Sequence, residues 1–172
     1  MIVAIVIFLA AWLAGVASWF LAWGEGLRVE RFDPRTFDRG LRVLRETRAL
    51  PPPSAVVGTT FETAHGRFSV TQTDRVLFRA KTYVWLWRTP LTFKCGIRWN
   101  GPVATVEGRL PVFPTAFCAA FLIGWTAFAA GVANDLTALA VGWLFVAGMV
   151  VLSLPLERYR VHRLVDEYAQ AA

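Results

Sequence analysis

The chain has 172 residues, is 56% hydrophobic and carries a net charge of +6, with sixteen Arg against two Lys. Soluble domains run nearer about 45–50% apolar, so an ordinary soluble globular protein is excluded. The residues outside the apolar blocks suffice for one small water-exposed domain. The positive charge lies beside apolar blocks, where anionic headgroups and the positive-inside bias account for it, so nucleic acid is not expected as a partner.

Three stretches contain no Asp, Glu, Lys or Arg: Met1–Gly24, Leu110–Asn134 and Leu136–Leu156. Each is long enough as a helix to cross the roughly 30 Å hydrocarbon core of a bilayer. The expected class is therefore an α+β integral membrane protein. One N-terminal transmembrane helix and a C-terminal helical hairpin flank a small antiparallel β-meander.

Residues 1–24 form the first span. No basic residue precedes it and it exceeds the apolar core of a signal peptide, which favours retention, although Val16-Ala17-Ser18 imitates a cleavage site. Residues 25–53 read as a basic amphipathic interfacial helix with a Pro linker. Asp33-Pro34 suits a helix start. Phe37, Leu41 and Leu44 share one helical face, Asp38 and Arg42 stand at i, i+4, and Pro51-Pro52-Pro53 ends the run. Such a helix lies on anionic lipid, or packs its stripe on the β domain.

Residues 54–109 change to period two. Five strands are expected: Thr59–Thr63, Gly66–Thr71, Arg75–Lys81, Leu91–Trp99 and Val103–Arg109. A three-residue loop at Gln72-Thr73-Asp74 sets Val70 opposite Val76 and Phe68 opposite Phe78. A two-residue loop at Asn100-Gly101 sets Ile97 opposite Ala104, Cys95 opposite Val106 and Lys94 opposite Glu107. Between strands, Tyr83-Val84-Trp85-Leu86-Trp87-Arg88 concentrates aromatics. That segment dips into the headgroups, binds a partner, or closes the open side of the sheet.

Residues 110–134 and 135–156 form the second and third spans, with Asn134 or Asp135 capping the third helix. Small residues recur at spacing four: Ala11 with Gly15, then Ala116, Ala120 and Gly124, then Ala138 and Gly142. Residues 157–172 continue as a helical tail, kinked near Pro155, whose Val161, Leu164, Val165 and Tyr168 form one face suited to docking on the β domain. Residues 25–109 hold 15 basic and 8 acidic side chains, a net +7. By the positive-inside rule the N-terminus lies outside, and the β domain and C-terminus are cytoplasmic. The location implied is the cytoplasmic (inner) membrane. The Arg-over-Lys bias hints at a high-GC bacterial genome.

No catalytic, cofactor-binding or metal-ligating set is legible. Cys95 and Cys118 fall in different regions, and there is no CxxC, P-loop, GxSxG or HExxH. His65, with Glu62 and Asp74, is the nearest approach to a catalytic cluster; His162 stands i, i+4 from Asp166. The spans lack the titratable groups of ion pathways. No cofactor is expected, and an enzyme is the less favoured class. The favoured reading is a non-enzymatic adaptor, presenting its β domain to a protein partner or membrane complex. The alternative is a lipid or small apolar ligand module, followed by a lipid-modifying enzyme. Anionic lipid headgroups are expected partners, and the candidate contact residues are Arg35, Arg39, Arg42, Tyr83, Trp85, Trp87 and Arg88. The layout resembles small bacterial membrane proteins that pair a helical hairpin with a pleckstrin-homology-type β domain. It departs from them in having five strands without a closing helix, and no residue role is carried over.

Overall fold

The computed structural model describes residues 1–81 and 91–171. Tyr83, Trp85, Trp87 and Arg88 lie outside the described residues.

Helix α1 (Ile2–Glu30) is 29 residues long, about 43 Å at 1.5 Å per residue. That is longer than the roughly 30 Å hydrocarbon core of a bilayer. Helix α3 (Val112–Gly131) and the 36-residue α4 (Leu136–Ala171) are the other two helices long and apolar enough to span. Apolar contacts give no hydrophobic drive inside lipid, so close backbone approach decides the packing. Ala11 and Gly15 of α1 face Ala120 and Gly124 of α3; a Cβ on Gly124 would sit 3.1 Å from that of Ala11. Gly142 of α4 lies against the Trp125 indole, whose Nε1 donates to the Ala138 carbonyl at 2.8 Å. Asp135 caps α4 through Thr137 N–H at 2.8 Å and Ala138 N–H at 3.1 Å. The α4 helix continues unbroken through Pro155.

The sheet has six antiparallel strands in the order β1-β6-β5-β4-β3-β2. They are β1 (Leu41–Arg48), β2 (Thr60–Glu62), β3 (Gly66–Gln72), β4 (Arg75–Ala80), β5 (Lys94–Asn100) and β6 (Val103–Leu110). The last five form the expected meander, and β1 is a correction. The long amphipathic helix of residues 25–53 is not formed. Residues 25–30 continue α1, a separate short α2 (Pro34–Asp38) follows, and the chain then becomes an edge strand on β6. Gly40 is the breaking point. Its φ of +110° is open to glycine, and a Cβ there would collide with the Leu110 carbonyl oxygen. The Phe37/Leu41/Leu44 spacing suits a helix, but Leu44 satisfies a strand equally well by packing at Gly108.

Val70 pairs with Val76 and Phe68 with Phe78, as expected, but the turn is the two residues Thr73-Asp74: Gln72 pairs with Arg75, and a bulge between Val70 and Gln72 restores the register. The β5–β6 register differs by two residues. Asn100 is a paired strand residue opposite Val103, so the turn is Gly101-Pro102, with Gly101 at φ +71°. Ile97 therefore faces Val106, and Lys94 faces Arg109 instead of Glu107. A slip of two preserves which face each side chain occupies, so the apolar pattern alone does not distinguish the two registers.

One sheet face is the core. Phe68, Val70, Val76, Phe78, Cys95, Ile97 and Val106 are buried under Val161, Leu164, Val165 and Tyr168 of α4. The tail is the layer that lets so small a sheet bury a core.

Candidate interaction surface

On the opposite sheet face Leu77 is buried with Phe32 and Phe37, and around that apolar patch the cations line up. Strand pairing sets Arg42 beside Arg109, Arg109 beside Lys94, and Arg67 beside Arg79. Lys94 lies one residue beyond the Phe78–Cys95 pair, which brings it level with Arg79. The result is a row of five cations on five adjacent strands, closed by Glu62 opposite Arg67 on β2. Further along the strands, Arg75 is opposite Arg98. Like charges placed directly opposite one another weaken a sheet, and a sequence that breaks a local rule repeatedly on one face does so most often where the face is used.

The row runs past the ends of the spans. Glu25, beyond the first charge-free stretch, is buried. It accepts from Lys94 Nζ at 2.6 Å and from the Val112 and Phe113 amides at 3.2 and 3.1 Å. One carboxylate thereby satisfies a buried ammonium and two orphan amides at the start of α3. Lys94 also donates to the Thr36 carbonyl at 2.8 Å. Glu157, beyond the third charge-free stretch, is also buried, pairs with Arg160 and accepts from the Phe93 amide at 3.1 Å. Arg109 directly precedes the second such stretch. The ends of the three charge-free stretches thus meet at Phe93, Lys94 and Arg109.

Beside the row is a polar cleft of about 90 Å³, lined by α2, β1, β6, β5 and β4. Its acids are occupied. Asp38 chelates Arg75 at 2.6 and 3.1 Å, and Glu107 reaches Arg109 at 3.1 Å and Arg42 at 3.6 Å. The expected Asp38–Arg42 and Lys94–Glu107 partners are thus exchanged. Arg98 also lines the cleft, is exposed, and has no ion-pair partner among the described residues. Arg35 and Arg39 flank the face on and just after α2, both exposed; Arg42 keeps 44% side-chain exposure. Arg67, near the other end of the row, is 43% exposed and bonds Glu62 at 2.6 Å. Lys81 also bonds Glu62, at 2.8 Å, and this holds the Glu62 carboxyl below its ordinary value, with the Arg67 charge assisting.

The His65/Glu62/Asp74 grouping does not assemble. His65 Nδ1 bonds Glu167 of α4 instead, and the same carboxylate accepts from Thr63 Oγ1 at 2.5 Å and the His65 amide at 3.1 Å. Those bonds outweigh burial and hold Glu167 low. His162 faces Glu46 of β1 at 2.9 Å, not Asp166, which pairs with Arg48 at 3.0 Å. Both histidines therefore pin the tail to the sheet. Burial pushes the Cys95 thiol well up, leaving it a core residue. Among the described residues no group of three metal ligands converges.

Sequence reasoning named Arg35, Arg39 and Arg42 but missed Arg67, Arg75, Arg79, Arg98 and Arg109 as one surface. The signal was their even spacing along each strand; the missing element was the register that brings the strands side by side. Comparisons with family models, curated proteins and solved structures give no match.

Proposed function

We propose that this protein is a non-enzymatic, membrane-anchored adaptor. Its sheet, on the cytoplasmic side of the inner membrane, offers a basic face to an acidic surface of a protein in the same membrane. The observation that carries this reading is the set of like-charged cross-strand pairs on a face held to three span ends by buried carboxylates. A firmly seated sheet presents its charge at a fixed height and orientation, which favours docking at low entropic cost. Arg45 and Arg98, exposed and away from the span ends, are the assigned contacts.

The test is recovery of a tagged full-length chain from its native membranes in mild detergent, alongside the Arg45→Glu/Arg98→Glu variant. A stoichiometric acidic partner lost on charge reversal and at high salt supports the adaptor. A chain recovered without protein, or a partner indifferent to charge reversal, contradicts it.

A further inference from the structure

We propose that the cleft between α2 and strands β1, β6 and β5 binds the phosphate of an anionic phospholipid, with Arg42 and Arg109 as donors. This goes beyond the adaptor reading and holds whether or not a protein engages the face.

Position comes first. Arg109 is the last charged residue before the second span, and Arg42 is its cross-strand neighbour. Lys94, on the other side of Arg109, touches Glu25 where the first span ends. The cleft floor therefore starts at the boundary of the apolar layer. The interfacial region extends roughly 5–8 Å beyond that boundary on each side, so Arg42 and Arg109 stand at the depth of lipid phosphates. Arg98, four residues along β5, reaches roughly 13 Å further out at 3.3 Å per residue, at the cleft's outer end.

Chemistry comes second. Guanidinium forks suit phosphate oxygens bidentately, as charge-assisted bonds. The cleft already shows this preference with its own carboxylates: Asp38 takes both nitrogens of Arg75. Glu107 bridges Arg109 and Arg42 only partly, at 3.1 and 3.6 Å, and leaves Arg42 44% exposed. Arg42 thus retains donors for an incoming oxyanion. A free soluble anion would need no such depth, and an acidic peptide would have to compete with headgroups there, so the lipid is the assigned occupant.

The full-length protein in a neutral detergent is titrated with short-chain phosphatidylglycerol, phosphatidylcholine or inorganic phosphate, with melting temperature and intrinsic tryptophan fluorescence as readouts. Phosphatidylglycerol raises the melting temperature and the other two do not. The Arg42→Gln/Arg109→Gln variant weakens phosphatidylglycerol by about tenfold or more, the scale of losing charge-assisted hydrogen bonds. Arg163→Gln, on α4, leaves it unchanged. Glu107→Gln, which releases both arginines from their internal partner, binds it more tightly; this opposite shift keeps the test decisive if the double variant folds poorly. Equal stabilisation by inorganic phosphate overturns the lipid assignment. So does equal response to phosphatidylcholine, or a Glu107→Gln variant with unaltered affinity.

Discussion

Glu25 and Lys94 are 6% and 2% exposed, and each is the other's counter-charge. Removing one partner of a buried pair leaves a charge without compensation and costs about 3–5 kcal/mol. Glu25→Ala is therefore expected to destabilise the fold by that amount in detergent denaturation, and Glu25→Ala/Lys94→Met to recover most of it. Exposed pairs such as Arg67–Glu62 contribute little, so Glu62→Gln is expected to leave the unfolding midpoint nearly unchanged in the same assay. Gly40→Ala forces an L side chain to φ +110° against the Leu110 carbonyl. It is expected to cost about 1 kcal/mol or more, read as a lowered unfolding midpoint.

The tail of α4 is the element on which the sheet depends. Tyr168 is fully buried against Phe61, Phe68 and Trp99, and its hydroxyl donates to the Pro51 carbonyl at 3.3 Å. Burial raises its pKa to about 12. Tyr168→Ala is expected to cost about 3–5 kcal/mol. Glu46 is held below its ordinary 4.5 chiefly by its bond to His162, and Glu167 is also held low. Carboxyls depressed in the folded state contribute stability above the unfolded pKa and lose it as pH falls through the folded one. Tail docking, followed by tyrosine and tryptophan fluorescence, should therefore be insensitive to these two groups at neutral pH and weaken below about pH 4.5. Glu46→Gln/Glu167→Gln should flatten that acid limb.

How much of each element was legible follows from its physics. The three long apolar helices were legible as charge-free runs of a length suited to crossing a bilayer. The meander followed from alternation and turn residues, and Val161, Leu164, Val165 and Tyr168 announced the docking face of the tail. Two features were not legible. Residues 41–48 carry a pattern that fits a helix or an edge strand, and the choice rests on Gly40 meeting Leu110, a contact nearly 70 residues away. Asn100-Gly101 and Gly101-Pro102 both make acceptable turns, and the slip of two between them is invisible to face alternation. The cationic row depends on that register and on β1, so it emerged only with the strands in place.

At the scale of the molecule, three helices suited to crossing a membrane meet one sheet at Phe93, Lys94 and Arg109. On the proposed topology, which follows the positive-inside rule, an N-terminal tag is expected to be digested by protease added to intact spheroplasts while a C-terminal tag survives. The reverse pattern would place the basic face outside. Both the adaptor and the lipid site rest on one claim: the sheet stands on the bilayer with its Arg109 end at the headgroups. Spin labels at Leu41 and Val103, placed singly in a cysteine-free background and read by depth-dependent power saturation in bilayers, test it most directly. Leu41 pairs with Leu110 at the inner end and Val103 with Asn100 at the far turn, both exposed. Seven residues of strand separate the two levels by up to ~23 Å. The account predicts a Leu41 label at headgroup depth and a Val103 label in bulk water. Both labels at one depth, or both in bulk water, would contradict it.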